Sequence, residues 1–301
     1  MTASVTLSVF SDAHLALGLP RGRELLGKRA LSALSWRMKR RWLHDGAVAR
    51  AAIGAALAAR CDAAVSLGDV VNFGLAREFE AAAAMLRDLG AGDHFVAIPG
   101  NHEAMAPGWA APLRRAWGEW LTGEGGAAQF PWLRRVGAVA LIGVSSAVAT
   151  PPFCATGRVG GDQLARLTAL LAETGRAGLA RVVLIHHPPT AIAPARKALA
   201  DAAAVRAALR DKGAELVLHG HLHRFSLSWI GDPPQRIPVI GAPSVSMRAD
   251  AGGDAAGGWL SVRLTREAGR WRAAVTPHGA GGADATLVFA LPAQPCASVA
   301  A

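Results

Sequence analysis

Short apolar runs alternate with longer runs of helical periodicity, and this alternation constrains the fold more than any other feature of the chain. Runs rich in Val, Ile and Leu are typical of buried strands, whereas apolar residues on one face of a helical repeat indicate amphipathic helices. The predicted strands are residues 5–10, 64–67, 95–98, 139–144, 181–185, 215–218, 225–230, 237–240 and 259–265. The predicted helices are residues 47–60, 76–89, 162–173 and 199–212.

The order of these elements predicts one mixed α/β domain. Strands alternate with helices in the first part, which predicts a parallel sheet, and the last strands follow one another, which predicts antiparallel pairing. The 301 residues, 51% of them apolar, are enough to bury a large core, and no Pro/Ser-rich linker divides them. We therefore predict a single domain over residues 1–276 and a Gly/Ala-rich tail over 277–301, in which the apolar stretch 286–291 is a candidate edge strand.

Composition excludes several classes of protein. Charged residues make up only 18% of the chain, which contains nine Trp, so a wholly disordered protein is excluded. Three scattered cysteines exclude a disulfide framework and favour a reducing compartment. No apolar run approaches the roughly 20 residues of a membrane span, and the first residues lack the features of a signal peptide. We expect a cytoplasmic protein, either free or at the cytoplasmic face of a membrane.

Five short polar clusters each follow a predicted strand. They are residues 12–14 (DAH), 68–72 (GDVVN), 100–103 (GNHE), 186–189 (HHPP) and 219–223 (HGHLH), and they contain seven of the ten histidines. Each cluster alone is compatible with an ordinary turn. In an α/β sheet, however, ligands bind beyond the carboxyl ends of the strands. The shared position of all five therefore predicts one functional site.

The side chains in these clusters indicate a metal site. Carboxylates, imidazoles and an amide, without cysteine, suit Mn, Fe, Zn, Co or Ni. The candidate ligands exceed what one tetrahedral ion can use, which favours two ions that share a carboxylate. Such sites hold ions about 3.5–4 Å apart and catalyse in-line phosphoryl displacement. The candidate ligands are Asp12, His14, Asp69, Asn101, His186, His221 and His223.

In this order, the clusters resemble the motifs of the calcineurin-like metallophosphoesterases: Asp-x-His, Gly-Asp, Gly-Asn-His-Asp/Glu, a lone His after a strand, and Gly-His-x-His. All five motifs are present between residues 12 and 223. The resemblance covers about 270 residues and implies two mixed β-sheets flanked by helices. It also implies a metal-dependent phosphoric ester hydrolase with two metal ions, and it says little about the substrate.

The resemblance also implies individual roles. The first metal would be held by Asp12, His14 and His223, and the second by Asn101, His186 and His221. Asp69 would bridge both ions, and a hydroxide between the ions would be the nucleophile. His102 would stabilise the phosphoryl oxygens or protonate the leaving oxygen, with Glu103 orienting it.

Three residues within the clusters are open to alternatives. Either His186 or His187 could be the ligand, and His186 is preferred because it comes first after the strand. We interpret His219, which ends a strand, as a packed residue.

Residues 21–43 form a basic segment between the first cluster and the first clear helix. Residues 21–41 contribute +7 of the net charge of +10. Leu31, Leu34, Met38 and Trp42 have helical spacing, which predicts an amphipathic helix.

We consider three interpretations of this segment. The apolar stripe packs on the domain with solvated charges, the segment holds substrate phosphates, or it docks on a membrane or a lipid substrate. Nucleic acid is disfavoured because no aromatic-interleaved platform accompanies the charge. A Gly/Pro-rich loop over 150–161 also follows a strand. The candidate substrate contacts are Arg37, Arg40, Arg158 and His187.

The leading hypothesis is a binuclear phosphodiesterase acting on a cyclic nucleotide or on another nucleotidic or lipid-linked diester. The alternative enzyme is a pyrophosphatase acting on a nucleotide-sugar lipid of the UDP-diacylglucosamine type, which only the basic segment supports. A non-catalytic scaffold is disfavoured because all seven ligand positions and His102 are filled.

Overall fold

In the computed structural model, two β-sheets are flanked by helices. The structure describes residues 3–126, 129–249, 256–279 and 282–292. Within these ranges the first sheet has seven strands and the second has six.

The first sheet joins the beginning of the chain to its end. Its strands are β1 (Ala3–Phe10), β2 (Ala63–Ser66), β3 (Phe95–Ala97), β10 (Trp259–Glu267), β11 (Arg270–Gly279), β12 (Gly282–Ala283) and β13 (Leu287–Ala290). The order is β12-β11-β10-β1-β2-β3, with β13 also paired to β11. The pairs β1–β2 and β2–β3 are parallel, and the others are antiparallel.

The second sheet is formed by the middle of the chain. Its strands are β4 (Trp132–Val136), β5 (Val139–Val144), β6 (Ala180–Ile185), β7 (Leu216–His219), β8 (Ser226–Ile230) and β9 (Ile237–Gly241). The order is β4-β5-β6-β7-β9-β8, with parallel pairing from β5 to β9 and antiparallel pairing at both edges.

Seven α-helices occur in the described ranges. They are α1 (Lys28–Ser35), α2 (Arg41–Leu43), α3 (Gly46–Ala58), α4 (Ala76–Asp88), α5 (Ala110–Trp117), α6 (Gly161–Arg176) and α7 (Ala202–Lys212). A π-helical turn, Trp36–Arg40, connects α1 to α2. Helix α3 begins after Asp45, whose Oδ1 accepts hydrogen bonds from the N–H groups of Ala47 and Val48 and satisfies two free donors of the first turn.

The largest apolar cluster lies between the two sheets. Side chains alternate between the faces of a strand, so Leu7 and Val9 of β1 point with Leu184 of β6 and Leu218 of β7 into the same core. A second cluster packs α3, α4 and α5 on the outer face of the first sheet, and a third packs α6 and α7 on the second sheet. The expected α/β fold of two mixed sheets flanked by helices is confirmed.

The end of the chain is more regular than its composition suggests. The predicted domain boundary after residue 276 falls inside β11, and β13 lies within the stretch 286–291. The sequence of β11, RWRAAVTPHG, mixes charged residues and a proline with apolar ones, which obscures the strand pattern. The other residues of the predicted tail, 280–281 and 293–301, lie outside the described ranges.

The basic segment is helical, as expected, but its apolar stripe faces solvent. Leu31, Leu34, Met38 and Trp42 are 36%, 53%, 71% and 62% exposed. The interpretation in which this stripe packs on the domain is therefore wrong, because the inward side of the segment is instead formed by other residues, including Ala33 and Trp36. None of the helices in the described ranges combines the length and apolarity that a membrane span requires.

Candidate metal centre

The five polar clusters meet at one edge of the molecule, where strands of both sheets end. Asp12 and His14 follow β1, Asp69 follows β2, and Asn101 follows β3. From the second sheet, His186 follows β6, and His221 and His223 follow β7. All these side chains are buried except that of His223, which is 23% exposed. The structure thus brings together all seven candidate ligands.

Backbone strain is concentrated at the same residues. Seven non-glycine residues in the described ranges have a positive φ, and five of them are Asp12, His14, Asp69, His221 and His223. Each such conformation costs on the order of 1–3 kcal/mol and persists only where the surroundings enforce it. Strain of this kind points to a functional site.

The first group of ligand atoms comes from the ends of β1 and β7. The His14 Nε2 atom lies 2.9 Å from His223 Nε2 and 3.6 Å from Asp12 Oδ1. His223 Nε2 lies 3.4 Å from Asp12 Oδ1. Two ligand atoms of one ion, each about 2.1 Å from it, lie about 3.0–3.4 Å apart. The first group therefore fits one metal ion.

The second group surrounds Asp69. His186 Nδ1 donates to the Leu67 carbonyl oxygen at 2.7 Å, which leaves Nε2 only 3.3 Å from Asp69 Oδ2. His221 Nε2 donates to the Lys197 carbonyl oxygen at 3.0 Å, so Nδ1 is its free nitrogen. Such bonds orient histidines that ligate metals. Because Asp69 Oδ2 also lies 4.0 Å from His14 Nε2, Asp69 stands between the two groups.

Unpartnered polar atoms provide the test of whether a metal fits. Asp12 Oδ1, Asn101 Oδ1 and His186 Nε2 are buried without a hydrogen-bond partner. Buried polar atoms are normally satisfied, and these three are metal-ligating atoms at the centre of the clusters. Ligand atoms of Asp69, His186 and His221 all lie within 4.8 Å of one another. The residues present fit a two-metal site.

The electrostatics of the centre favour cations. Burial raises the pKa of Asp12, but His223 and His186 outweigh it and hold that pKa well below its usual range. Burial also raises the pKa of Asp69, and His186 and His102 hold it low. The reverse applies to His186: burial lowers its pKa, but Asp69 outweighs burial and raises it to about 9. Two ionised carboxylates therefore lie buried together and require positive charge.

A family model of calcineurin-like phosphoesterases matches residues 8–225. The chain belongs to this family. The expected resemblance is thereby confirmed, and with it the expectation of a metal-dependent phosphoric ester hydrolase. This phosphoesterase contains His and Asp clusters that fit the metal site of such a protein.

Solved structures of low identity share the fold where the TM-score reaches 0.50 or more. A dimetal phosphatase from Danio rerio is 14% identical with a TM-score of 0.64, and the match covers 95% of this chain and 98% of that one. GAP50 of Plasmodium, described as the anchor in the inner membrane complex, is 10% identical with a TM-score of 0.50, covering 97% and 90%. A 5'-nucleotidase precursor from Thermus thermophilus is 16% identical with a TM-score of 0.47, covering 97% and 55%. A comparison with curated proteins finds no match.

Two residues of the phosphoesterase have partners that differ from the expectation. Glu103 was expected to orient His102, but its carboxylate accepts hydrogen bonds from the N–H groups of Asp69, Val70, Val71 and Gly100, at 2.7–3.1 Å. The His102 ring is oriented by the Asn72 carbonyl oxygen, 2.6 Å from Nδ1. The expected role of Glu103 is therefore corrected: it holds the loops after β2 and β3 in place, because four converging N–H groups occupy its carboxylate.

The candidate substrate residues separate into two groups. Arg40 points inward, with Nη1 3.3 Å from His102 Nε2, whereas Arg37 and Arg158 are exposed. His187 is buried, and both of its ring nitrogens are engaged, by Ser146 Oγ at 2.8 Å and the Ala155 carbonyl oxygen at 3.2 Å. The expectation that His187 contacts substrate is corrected, because the ring has no free polar atom.

Three further basic residues at the site were missed. Lys28 and Lys197 are partly buried, burial lowers the pKa of each, and both interact with the charge of Asp69. The His44 ring centroid lies 4.8 Å from that of His14 and 5.3 Å from that of His223. Lys28 begins the helical run of the basic segment and His44 directly follows it, so their positions in the sequence could have identified both residues. Lys197 lies in a short 3₁₀ turn, Ala195–Lys197, with no motif to mark it.

A cavity of about 750 Å³ adjoins the first ligand group. Its lining includes His14, His44 and Trp36, together with Met85 of α4 and Leu89, which directly follows α4. Its volume is within the ordinary range for small-molecule sites, about 300–1,000 Å³. The phosphoesterase therefore has room beside its ligand clusters for a substituent of the substrate.

Proposed function

We propose that the chain is a binuclear metal-dependent phosphodiesterase. The observation that carries the proposal is the pair of ligand groups that share Asp69, with buried ligand atoms that lack any other partner. Family membership supports phosphoester hydrolysis, and the preference for diesters is our own inference. It is supported by the cavity beside His14, which provides space for a second ester substituent.

The proposed metal ligands divide as the geometry suggests. Asp12, His14 and His223 would hold one ion, and Asn101, His186 and His221 the other, with Asp69 shared. The donor set suits Mn, Fe, Zn, Co or Ni. When bound, such ions polarise the phosphoryl oxygens and lower the pKa of the attacking water.

His102 and Arg40 are proposed to act on the substrate itself. His102 is fixed through Nδ1, so Nε2 is the atom that can give a proton to the leaving oxygen. Burial and then Arg40 lower the pKa of His102 to about 3, and the negative charge of a bound phosphate would raise it. Arg40, whose guanidinium already contacts His102 Nε2, would transfer its hydrogen bonds to the phosphoryl oxygens.

The test is hydrolysis of bis-p-nitrophenyl phosphate compared with p-nitrophenyl phosphate. Metal-stripped protein is assayed with and without added Mn²⁺. We expect metal-dependent cleavage with a higher kcat/KM for the diester. Preference for the monoester would contradict the diesterase proposal, and failure to bind any metal would contradict the binuclear site. Asp69→Asn is the matched variant, because it removes the shared carboxylate and should abolish turnover.

A diphosphate-linked substrate is the second candidate. It is favoured by three cations at the site, Lys28, Arg40 and Lys197, each of which interacts with the charge of Asp69 or Asp12. A substrate with a single phosphate would need fewer cationic side chains than a diphosphate does. Cleavage of a nucleoside diphosphate ester at the diphosphate bond, identified by the phosphate content of both products, would favour this candidate over a simple diester.

A further inference from the structure

We infer that the outer face of residues 25–42 docks on an anionic lipid surface, and that the site takes an amphipathic phosphoester from that surface. The second half of this inference rests on the proposed function, whereas the first does not. The outer face comprises Leu25, Leu26, Leu31, Leu34, Met38 and Trp42.

Exposed apolar side chains are concentrated on this face. The described ranges contain nine exposed large hydrophobic residues, and six of them belong to the outer face. Leu26, Met38 and Trp42 are 72%, 71% and 62% exposed. A seventh, Phe153, is 79% exposed and lies next to the segment, because Lys28 Nζ donates to the Cys154 carbonyl oxygen at 2.7 Å. Exposed apolar side chains concentrated on one short segment in this way mark an interaction surface.

The segment that carries this face is anchored to the domain from its other side. Arg29 donates to the carbonyl oxygens of Phe73 and Gly74 at 3.0 and 2.7 Å. Ala33 is buried against Phe73, and Trp36 packs beside them. The outer face is therefore presented by a fixed structure, and its exposure does not come from a loose end.

The positive charge of the segment indicates that this face contacts an anionic lipid surface. Arg21, Arg23, Arg37, Lys39 and Arg41 are exposed in the same segment, among the outer apolar residues. The Arg41 guanidinium lies over the Trp42 ring, 4.5 Å from its centroid. Basic residues around Trp and Leu are typical of helices that lie in the interface of an anionic bilayer, and such lipids are abundant at the cytoplasmic face. A protein in the cytoplasm, as expected from the sequence, would meet these anionic lipids.

The inner side of the segment leads to the metal centre. Arg40 contacts His102, and Trp36 and His44 line the 750 Å³ cavity. The cavity wall continues with apolar Leu17, Met85 and Leu89. One short segment thus carries a lipid-facing surface outside, and a cation and an apolar cavity inside. The substrate chemistry that fits is a phosphoester with an apolar chain, its phosphate at the metals and its chain in the cavity.

Docking is tested by sedimentation of the full chain with vesicles of phosphatidylcholine alone or mixed with phosphatidylglycerol. We expect binding to the mixed vesicles that weakens as NaCl is raised. Leu34→Ser/Met38→Ser/Trp42→Ser should weaken binding about tenfold or more. The matched control is Leu227→Ser/Val288→Ser, which removes exposed apolar residues elsewhere and should bind as the wild type does.

A second variant separates charge from apolar area. Arg23→Gln/Lys39→Gln/Arg41→Gln should lose the preference for phosphatidylglycerol, whereas Arg60→Gln/Arg115→Gln/Arg270→Gln, an equal loss of exposed charge elsewhere, should retain it. Equal binding by all variants, or no binding by the wild type, would overturn the docking proposal. The wild type could instead be a dimer that does not bind vesicles. If Leu34→Ser/Met38→Ser/Trp42→Ser converts that dimer to a monomer, the outer face contacts a second copy of the chain.

The substrate half is tested with soluble diesters. We expect kcat/KM for p-nitrophenyl octyl phosphate to exceed that for p-nitrophenyl methyl phosphate at least about tenfold, because the octyl group is buried in the apolar cavity. Ala51→Phe, which places a ring in the cavity and narrows it, should reduce this ratio towards one. A ratio near one in the wild type would overturn the substrate class. If the wild type binds vesicles but hydrolyses no diester, the proposed function is refuted and the docking proposal is unaffected.

Discussion

At the residue scale, the strained backbone of the site is held by hydrogen bonds between loops. The N–H groups of Asp12 and His14 donate to the carbonyl oxygens of Gly68 and Asp69 at 3.0 and 2.9 Å. The N–H of His221 donates to Asp12 Oδ2 at 2.8 Å. These bonds tie the loops after β1, β2 and β7 together and offset the cost of their positive φ angles. The ligands are thus preorganised by the chain itself.

Gly100 shows how closely the loops approach. A Cβ atom at this position would overlap Asp69 Oδ1 and lie 2.7 Å from His186 Cε1. Only glycine leaves room for the carboxylate between the two ligand groups. The glycine of this motif is therefore required by close packing around Asp69.

His102→Ala tests proton donation. We expect the variant to keep both metals, because His102 lies outside the proposed ligand set, and to lose about 10²–10⁴-fold in turnover on esters with poor leaving groups. Activity on an aryl diester, whose leaving group needs no proton, should fall much less. Metal content by elemental analysis is the control. An equal loss on both substrates would count against the role of His102 as a proton donor.

At the element scale, the start of the basic segment is bound to α4, and α4 also contacts the loop that precedes the segment. Glu24 Oε2 lies 2.9 Å from Arg77 Nη2 of α4, and Arg77 Nη2 also donates to the Leu19 carbonyl oxygen at 2.9 Å. The hydrogen bond from Arg77 lowers the pKa of Glu24 from 4.5 to about 2. The start of the segment is therefore held by an ionic contact that depends on pH.

This contact predicts a pH dependence of stability. Because the folded-state pKa of Glu24 is lowered, its stabilisation is complete above about pH 4.5 and is lost as the pH falls towards 2. The effect is small, since the pair is exposed. We expect the difference in Tm between wild type and Glu24→Gln to be constant from pH 5 to 7 and to shrink below pH 4. Glu80→Gln, which changes an exposed glutamate of α4, the helix that carries Arg77, is the control. A difference that grows on acidification would refute this assignment.

The second sheet contains a buried ion pair. Arg181 Nη2 lies 2.6 Å from Glu215 Oε1, with both side chains 1% exposed. Arg181 also donates to the carbonyl oxygens of Lys212 and Leu171, so it joins β6 to the ends of α6 and α7. Buried pairs of this kind are most costly when only one partner is removed.

We expect Arg181→Leu to reduce the free energy of unfolding by about 3–5 kcal/mol, because it leaves Glu215 buried and unpaired. The double variant Arg181→Leu/Glu215→Leu should lose less than the single one. Urea unfolding measures both. Arg87→Leu, which breaks an exposed pair with Glu119, should cost at most about 1 kcal/mol. A double variant less stable than Arg181→Leu would contradict this account of the pair.

At the scale of the whole molecule, the metal centre joins the two sheets. Asp12, His14, Asp69 and Asn101 come from the first sheet, and the remaining proposed ligands come from the second. Two buried ionised carboxylates, those of Asp12 and Asp69, lie together at this junction, where positive charge stabilises them. Metal ions would therefore bind the native state far better than the unfolded chain.

Removal of metal should lower the stability of the whole domain. At a free metal concentration of 100 times Kd, one site contributes about 2.7 kcal/mol. We expect chelation to lower Tm and Mn²⁺ to restore it, with a dependence on metal concentration. Asp69→Asn, which removes the shared carboxylate, should respond less to Mn²⁺ than the wild type does. A wild-type Tm that does not respond to added metal would contradict the two-metal site.

The sequence alone predicted the fold and the convergence of the seven ligands. Each cluster follows a strand. Strands β1 to β3 are parallel, as are β5 to β7, so the carboxyl ends within each set lie at the same edge of their sheet regardless of the side chains. The prediction could therefore be made from local patterns. The preference for His186 over His187 agrees with the hydrogen bonds that each ring makes, but its role as a ligand stays a prediction.

Tertiary structure decided what depends on contacts between distant segments. Three of the four N–H groups that bind Glu103 lie in the loop after β2, and Lys197 interacts with the charge of Asp69 from a turn with no motif. Helical periodicity identified the stripe of Leu31, Leu34, Met38 and Trp42, but it could not show which side of the helix meets the domain. Periodicity measures only the segregation of apolar side chains along a helix. Which face is buried depends on the shape of the surface beneath it, and that surface is made by residues far away in the chain.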